Sequence, residues 1–181
     1  MNSHHFKKIK STYDDYINDL LKSGILPVKD TGIGYWGATP VDGLFELFRK
    51  INLQHRSSFV DLGAGDGRVV LLASLFFVKS HGIEIDNDLI NVAMQQRLKL
   101  SIPHFKNTKF LQKNYLEHDL SGYEVIYISP DKPFFRDDLD SKLKKELRGE
   151  LIVHGEEFFP RNLEKKNEFI ISGDRFTIFK N

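Results

Sequence analysis

The chain has 181 residues, with 26 Lys or Arg against 25 Asp or Glu, so its formal net charge is +1. This balance excludes the basic excess of a dedicated nucleic-acid-binding protein, although a local basic patch remains compatible with it. The chain has no cysteine, which excludes a disulfide framework, a thiolate zinc site and a catalytic thiol. We expect one domain with a substantial hydrophobic core.

The N-terminal residues carry charges without an apolar core, so the sequence predicts no secretory signal there. The longest apolar run, residues 69–78, is shorter than the roughly 20 residues that a membrane-spanning helix needs. We therefore expect a cytoplasmic protein with no membrane partner.

The first 50 residues have helical periodicity interrupted by one glycine-rich loop. Apolar residues at helical spacing predict an amphipathic helix over 5–23. Residues 30–40, DTGIGYWGATP, predict a loop that holds the single tryptophan, Trp36. Thr39 followed by Pro40 predicts a helix N-cap and first helical position, with the helix reaching about Ile51.

Strands and helices alternate through the rest of the chain. The predicted strands are 59–63, 81–85, 108–113, 123–129 and 150–155, and the predicted helices are 66–78, 87–100 and 135–147. Two further strands, 168–172 and 175–180, are separated by Gly173-Asp174, a two-residue hairpin signal. The pattern predicts an α/β fold: a doubly wound, Rossmann-like, mostly parallel sheet of seven strands that ends in an antiparallel hairpin.

The segment FVDLGAGDGRVVL, residues 59–71, carries the clearest chemical signal. Its glycines form G-x-G-x-G, whereas the dinucleotide fingerprint is G-x-G-x-x-G. Asp61 precedes the first glycine and would repel a pyrophosphate, but it would attract an ammonium or sulfonium group. S-adenosylmethionine carries both cations and no phosphate, so the turn favours this cofactor over NAD. The alternative is a plain tight turn in which Asp61 caps the helix.

Glu84 ends the next predicted strand, about 20 residues after the glycines, where a carboxylate accepts hydrogen bonds from ribose hydroxyls. This feature serves NAD equally well and does not separate the two cofactors.

The segments VDLGAGDGR and GIEID resemble motif I and the following motif of class I S-adenosylmethionine-dependent methyltransferases. Together with GYWGATPVDGLFELF and LIVHGEEF, their order and spacing resemble the small archaeal protein-lysine methyltransferases. Mitochondrial relatives, which methylate lysines of ATP-synthase subunits or adenine-nucleotide carriers, share this layout. The resemblance covers roughly residues 33–180.

The resemblance implies a methyltransferase core over 51–181, preceded over 1–50 by a helical extension and a loop that covers the cofactor. Asp61, Gly63 and Gly65 would line the methionine half of the cofactor, and Glu84 would hold the ribose. Asn114 would face the adenine amino group, with Tyr115 stacked nearby, unless Asn114 is only a turn residue. The complete predicted cofactor set is Thr39, Asp61, Gly63, Ala64, Gly65, Glu84, Ile85, Asn114 and Tyr115.

The loop after the fourth strand of the doubly wound sheet, ISPDKPFF at 128–135, should meet the methyl acceptor. Amino-methyltransferases of nucleic-acid bases use a polar residue, two prolines and an aromatic residue there. This chain has Ser129-Pro130 and then Asp131-Lys132, a departure that disfavours base methylation without excluding it. The loop could also have no role.

Aromatic faces guide an alkylammonium by cation–π attraction. Candidates, each of which could instead be a core residue, are Tyr35, Trp36, Phe134, Phe135, Phe158 and Phe159. We predict Ser129, Trp36 and Tyr35 as the catalytic residues. The histidines show no metal-ligand spacing, so no metal is expected. His154 could face the acceptor or be structural, and a dedicated base is not obligatory.

The sequence therefore predicts a methyltransferase whose cofactor is S-adenosylmethionine and whose partner is a protein substrate with a lysine acceptor. A nucleic-acid base or a small molecule is the alternative acceptor. A non-catalytic module that binds S-adenosylmethionine is a second alternative. An NAD-dependent oxidoreductase is disfavoured by Asp61 and the glycine spacing.

Overall fold

The computed structural model describes residues 2–32, 34–51, 53, 56–101, 104–130 and 136–181. The helices within this part of the chain are α1 (Asn2–Lys22), α2 (Asp42–Lys50), α3 (Arg68–Ala73), α4 (Asn87–Leu98) and α5 (Asp137–Glu146). The strands are β1 (Val28–Asp30), β2 (Tyr35–Gly37), β3 (Ser58–Leu62), β4 (Lys79–Glu84), β5 (Thr108–Gln112), β6 (Val125–Ile128), β7 (Glu150–His154), β8 (Glu164–Ile171) and β9 (Asp174–Lys180). Short 3-10 turns occupy Phe105–Asn107 and Tyr115–Glu117.

Seven strands form one sheet in the order β5-β4-β3-β6-β7-β9-β8. The first five of these strands pair in parallel, and β9 is antiparallel to both β7 and β8. The strand order reverses between β3 and β6, and ligands bind at the carboxyl ends of strands beside such a reversal. The predicted doubly wound sheet with a C-terminal antiparallel hairpin is confirmed.

The hairpin turn lies one residue earlier than predicted. Ile171 pairs with Asp174, so the two loop residues are Ser172 and Gly173. Both have positive φ, 55° and 88°, as a type I′ turn requires at its two central positions. Asp174 is therefore the first residue of β9, and its side chain is free to take part in contacts of the sheet.

Two predictions for the N-terminal third are wrong. Helix α2 begins at Asp42, and its N-cap is Val41 without a side-chain capping bond, so Thr39 does not cap it. The segment predicted as a loop over 30–40 instead contains β2, which pairs with β1 in a separate antiparallel sheet. We call these two strands the strap. Their residues are too few to show strand periodicity.

Each face of the main sheet is covered by its own hydrophobic cluster. On one face, α1, α2 and α3 pack against the sheet through buried residues such as Ile9, Leu44 and Leu71. On the other, Leu139 and Leu143 of α5 pack against Val60 and Ile126. None of the helices in the described ranges is both long and apolar enough to cross a membrane.

The strap is attached to the N-terminus of α4 by an ion pair. The Asp86 carboxylate accepts hydrogen bonds from the backbone N–H groups of Asp88 and Leu89, which makes it the N-cap. The Lys29 ammonium, on β1, lies 2.8 Å from both the Asp86 and the Asp88 carboxylates. Burial acts to raise the pKa of Asp86, but the bonds from Lys29 and from these N–H groups outweigh it and lower the pKa.

We expect Asp86→Ala to reduce the free energy of unfolding by about 1 kcal/mol at neutral pH, the usual effect of losing a cap. Because the folded state lowers the Asp86 pKa, this loss should shrink as the pH falls below the pKa of the unfolded carboxyl. Asp86→Asn retains a capping oxygen, and Asp88→Ala removes only an exposed partner of Lys29. Both variants should therefore lose less free energy of unfolding than Asp86→Ala. Urea unfolding at several pH values measures these differences, and equal losses in all three variants would contradict the capping role.

Candidate cofactor and acceptor cleft

A cleft of about 260 Å³ opens at the carboxyl ends of β3 and β6. Its lining comes from the strap and the segment after it, from the glycine turn, which we call the floor of the cleft, and from the end of β6. The lining includes these predicted site residues: Tyr35, Trp36, Thr39, Asp61, Gly63, Ala64, Gly65 and Ser129. The structure thus brings together residues that lie far apart in sequence at the position where this fold binds ligands.

Asp61 supplies a buried carboxyl to the lining of the cleft. Its carboxyl is 3 % exposed and receives no hydrogen bond from the residues that the structure describes. Burial raises its pKa well above the usual range, and the charges of Glu84 and Asp66 raise it further. A buried carboxyl without partners is unfavourable unless a donor or cation meets it. The observation fits a cationic ligand in this cleft.

The glycine turn passes directly beneath the strap. Gly65 has φ +53°, and a Cβ at this position would collide with the Trp36 indole. The backbone N–H of Gly65 donates to the Glu84 carboxylate at 2.9 Å. The absence of a side chain therefore lets Trp36 approach the turn, while Glu84 fixes the turn from the neighbouring strand.

Helix α1 contacts the same turn from the other side. The Tyr13 hydroxyl donates to the carbonyl of Asp66 at 2.7 Å, and the Arg68 guanidinium stacks 4.8 Å from the centre of the Tyr13 ring. Arg68 also forms a buried ion pair with the Asp66 carboxylate at 2.6 Å. Asp66 and Arg68 both line the cleft, so α1 supports its floor.

Four predicted cofactor residues lie outside the cleft lining. The Glu84 carboxylate accepts from the backbone N–H groups of Gly65, Ile85 and Asp86. The Ile85 side chain is exposed. Asn114 accepts from the N–H of Leu116 and caps the 3-10 turn that begins at Tyr115. Glu84 ends β4 and Ile85 follows it, while Asn114 and Tyr115 follow β5, so all four lie along the edge of the sheet next to the glycine turn.

The predicted acceptor residues are only partly gathered at the cleft. Ser129 and Pro130 line it at the end of β6, whereas Asp131, Lys132, Phe134 and Phe135 lie outside the described residues, as does His55. Two other aromatic candidates lie away from the lining: Phe158 is buried in the second cluster, and Phe159 packs edge-on against Phe179.

Sequence reasoning missed Tyr127, Asp66 and Arg68 as lining residues. Tyr127 is two residues before Ser129 on β6, so strand alternation places both side chains on one face. That spacing could have identified Tyr127. Asp66 and Arg68 belong to the motif, but their ion pair and its contact with α1 depend on the tertiary structure.

Residues 33–167 match the family described as Histone methylation protein DOT1. The chain belongs to this family. A curated relative from Caenorhabditis elegans, named as the lysine N-methyltransferase of an ATP synthase subunit, is 31% identical over 88 residues. That match covers 49% of this chain and 45% of the relative, so the chain spans about half the length of the curated relative.

Solved methyltransferases share the fold at low sequence identity. An RNA methyltransferase from Salinibacter ruber, crystallised with S-adenosyl-L-homocysteine, superposes with TM-score 0.60 and 22% identity, covering 78% of this chain and 91% of that one. The magnesium protoporphyrin IX methyltransferase from Synechocystis, with bound SAM, gives TM-score 0.62 and 12% identity, with 78% of each chain covered. The chain thus shares its family with DOT1 and its fold with class I methyltransferases, and the predicted resemblance is confirmed.

We expect Gly65→Ala to weaken binding of S-adenosylmethionine. The new Cβ would displace Trp36 from the cleft lining, and we expect this to raise Kd roughly tenfold, equivalent to about 1.4 kcal/mol. The strain at a positive φ would in addition lower the free energy of unfolding by about 1–3 kcal/mol. Gly122→Ala is a matched control, because a Cβ there meets nothing within 4 Å. Calorimetric titration measures both variants, and unchanged affinity in Gly65→Ala would contradict the close approach of Trp36.

Proposed function

We propose that this protein transfers a methyl group from S-adenosylmethionine to the amine of a protein lysine. The observation that carries the proposal is the buried Asp61 carboxyl, which lines the cleft beside the glycine turn. The family and the fold support methyl transfer, and the name of the Caenorhabditis elegans relative supports lysine as the acceptor. We extend the proposal to a role of residues 1–50 in covering the cofactor and to action in the cytoplasm.

The residues of the cleft fit this cofactor. Asp61 offers a carboxylate to the cationic methionine portion, and the Arg68 guanidinium on the same floor offers a positive charge to its carboxylate. Glu84 retains acceptor capacity for ribose hydroxyls, because a carboxylate has about four lone-pair sites and three N–H groups occupy it. We propose that Ile85, Asn114 and Tyr115 bind the adenine end.

When bound, S-adenosylmethionine supplies an electrophilic methyl group on a sulfonium centre. The protein has to orient the acceptor amine and exclude water. Tyr35 and Trp36 on the strap, together with Ser129 after β6, line the same cleft as the glycine turn. In the proposed role, the aromatic faces hold the lysine side chain by cation–π attraction, and Ser129 orients its nitrogen by a hydrogen bond.

A nucleic-acid base is the second candidate acceptor, because Ser129 and Pro130 line the cleft as the first two residues of a base-methylating loop would. The departure at Asp131 and Lys132 and the net charge of +1 favour the lysine instead.

Asp61→Asn should change stability and binding in opposite directions. The folded state raises the Asp61 pKa, so stability falls as the pH rises from the unfolded pKa toward the folded one. Removing the charge should therefore raise the melting temperature of the free protein at neutral pH. It should also raise the Kd for S-adenosylmethionine by roughly tenfold to hundredfold, which is the usual contribution of a hydrogen bond to a charged group.

The control for this variant is Asp15→Asn on the exposed side of α1, which should change neither quantity. Thermal unfolding and calorimetric titration provide the two readouts. Loss of both stability and binding in Asp61→Asn would mean that Asp61 is a structural residue rather than a ligand for a cation.

The acceptor is identified by label transfer. Purified protein is incubated with S-adenosylmethionine labelled on its methyl group and with lysate from cells that lack the enzyme. We expect label that protease releases and nuclease does not, with methyl-lysine after acid hydrolysis. Nuclease-sensitive label would overturn the lysine assignment in favour of a base, and binding without any transfer would overturn the proposed activity.

A further inference from the structure

A row of polar side chains crosses one face of the sheet, starting at the cleft. Asp61 on β3 is in register with Tyr127 on β6. The Tyr127 hydroxyl forms a hydrogen bond with Nδ1 of His154, on β7, at 2.7 Å; in the tautomer protonated on Nε2, the hydroxyl is the donor. Nε2 of His154 lies 3.5 Å from Oδ1 of Asp174, the first residue of β9. Four adjacent strands thus contribute one group each.

The row connects the cleft to solvent. Tyr127 lines the cleft and is otherwise enclosed, with 1 % of its surface exposed. The His154 side chain is 8 % exposed, and the Asp174 side chain is 22 % exposed. Exposure therefore increases along the row away from the cleft, so a proton arriving at Asp174 can pass to water.

Helix α2 leaves room for the far end of the row. A Cβ on Gly43, in the first turn of α2, would lie 2.7 Å from Oδ2 of Asp174. The glycine thus accommodates the carboxylate at the helix N-terminus, where the helix dipole favours a negative charge. An ionised Asp174 in turn stabilises a positive charge on His154.

We propose that Tyr127, His154 and Asp174 form a proton relay that deprotonates the acceptor ammonium before methyl transfer. The acceptor N–H bond breaks and a new O–H bond forms on Tyr127, whose original hydroxyl proton moves to Nδ1 of His154. The positive charge leaves the acceptor nitrogen, which regains its lone pair, and appears on the imidazolium beside Asp174. The imidazolium then loses its Nε2 proton to water through Asp174, and proton exchange with water restores the tautomer protonated on Nε2 before the next turnover. No oxidant or reductant takes part.

Among the charges along the row, the Asp174 carboxylate favours this direction of transfer, because it stabilises the imidazolium. The ionisable groups that face the relay are Asp61 beside Tyr127 and Asp174 beside His154. Burial lowers the His154 pKa, although Asp174 opposes this effect, so the imidazole is neutral and able to accept a proton at neutral pH. Tyr127 would touch the acceptor and is the catalytic residue of the relay, whereas His154 and Asp174 act through it as positioning residues.

The relay rests on the proposed lysine methylation. Its test is the pH dependence of kcat, measured on a peptide that contains the lysine found by label transfer to accept the methyl group. With the relay intact, kcat should be nearly flat between about pH 7 and 9. In Tyr127→Phe the ammonium must lose its proton unaided, and its ordinary pKa is about 10.4. The rate at neutral pH should then fall roughly 10²–10⁴-fold and rise about tenfold per pH unit.

Asp174→Asn should lower kcat while leaving the peptide KM and the cofactor Kd unchanged. Tyr123→Phe is the matched control, because Tyr123 also hydrogen-bonds to histidines, His81 at 2.8 Å and His118 at 3.1 Å, but it does not line the cleft. Thermal unfolding and S-adenosylmethionine affinity establish that each variant is folded and binds cofactor.

A second readout is independent of turnover. Proton and nitrogen NMR of the His154 ring, assigned with His154→Gln, should show the tautomer protonated on Nε2 in the wild type, with Nδ1 losing its hydrogen bond in Tyr127→Phe. If the wild type is active and the pH profile of kcat for Tyr127→Phe runs parallel to that of the wild type, the relay is overturned and the proposed function is not. A wild type that forms no methyl-lysine at any pH would overturn the proposed function, and the relay with it.

Discussion

The buried carboxyl of Asp61 is the constraint on which the arrangement of the cleft depends. It lies at the end of a central parallel strand, with almost no exposure and no donor from the described part of the chain. Glu84 and Asp66 add negative potential around it. Such a site is unfavourable in the free protein and becomes favourable when a cation enters, so stability is exchanged for affinity at this position.

The glycine turn next to Asp61 is held in place from three directions. Glu84 accepts from the Gly65 N–H on one side, Tyr13 of α1 donates to the Asp66 carbonyl on another, and Trp36 of the strap covers Gly65. The strap is itself connected to α4 by Lys29. The N-terminal segment is therefore physically linked to the floor of the cleft, which supports the proposed role of this segment in covering the cofactor.

The sequence predicted the order of strands and helices because hydrophobic periodicity and turn residues are local signals. It also singled out Asp61 and the glycines, which line the cleft, since that motif lies within a few consecutive residues; their role toward the cofactor stays a prediction. It placed a helix N-cap at Thr39, because Thr-Pro is a strong local signal, yet α2 begins at Asp42. The turn at Ser172-Gly173 was missed by one residue, because cross-strand pairing decides the register.

The row from Asp61 to Asp174 could not have been predicted. Its members come from four strands that are neighbours only after folding, and His154 alone gave no indication of its partners. The contact between Tyr127 and His154 depends on a shift of two residues between their strands, since Tyr127 is in register with Ile152. Similarly, Gly43 is needed because Asp174, the Ile171 carbonyl and the Phe176 ring all approach α2.

The most direct test of the central claim is a pair of calorimetric titrations of the wild-type protein, one with S-adenosylmethionine and one with NAD. Both ligands carry an adenosine, but NAD carries a pyrophosphate, whereas S-adenosylmethionine has no phosphate and offers an ammonium and a sulfonium group. We predict saturable binding of S-adenosylmethionine and no measurable binding of NAD. Binding of NAD without binding of S-adenosylmethionine would contradict the assignment of Asp61 and the proposed function with it.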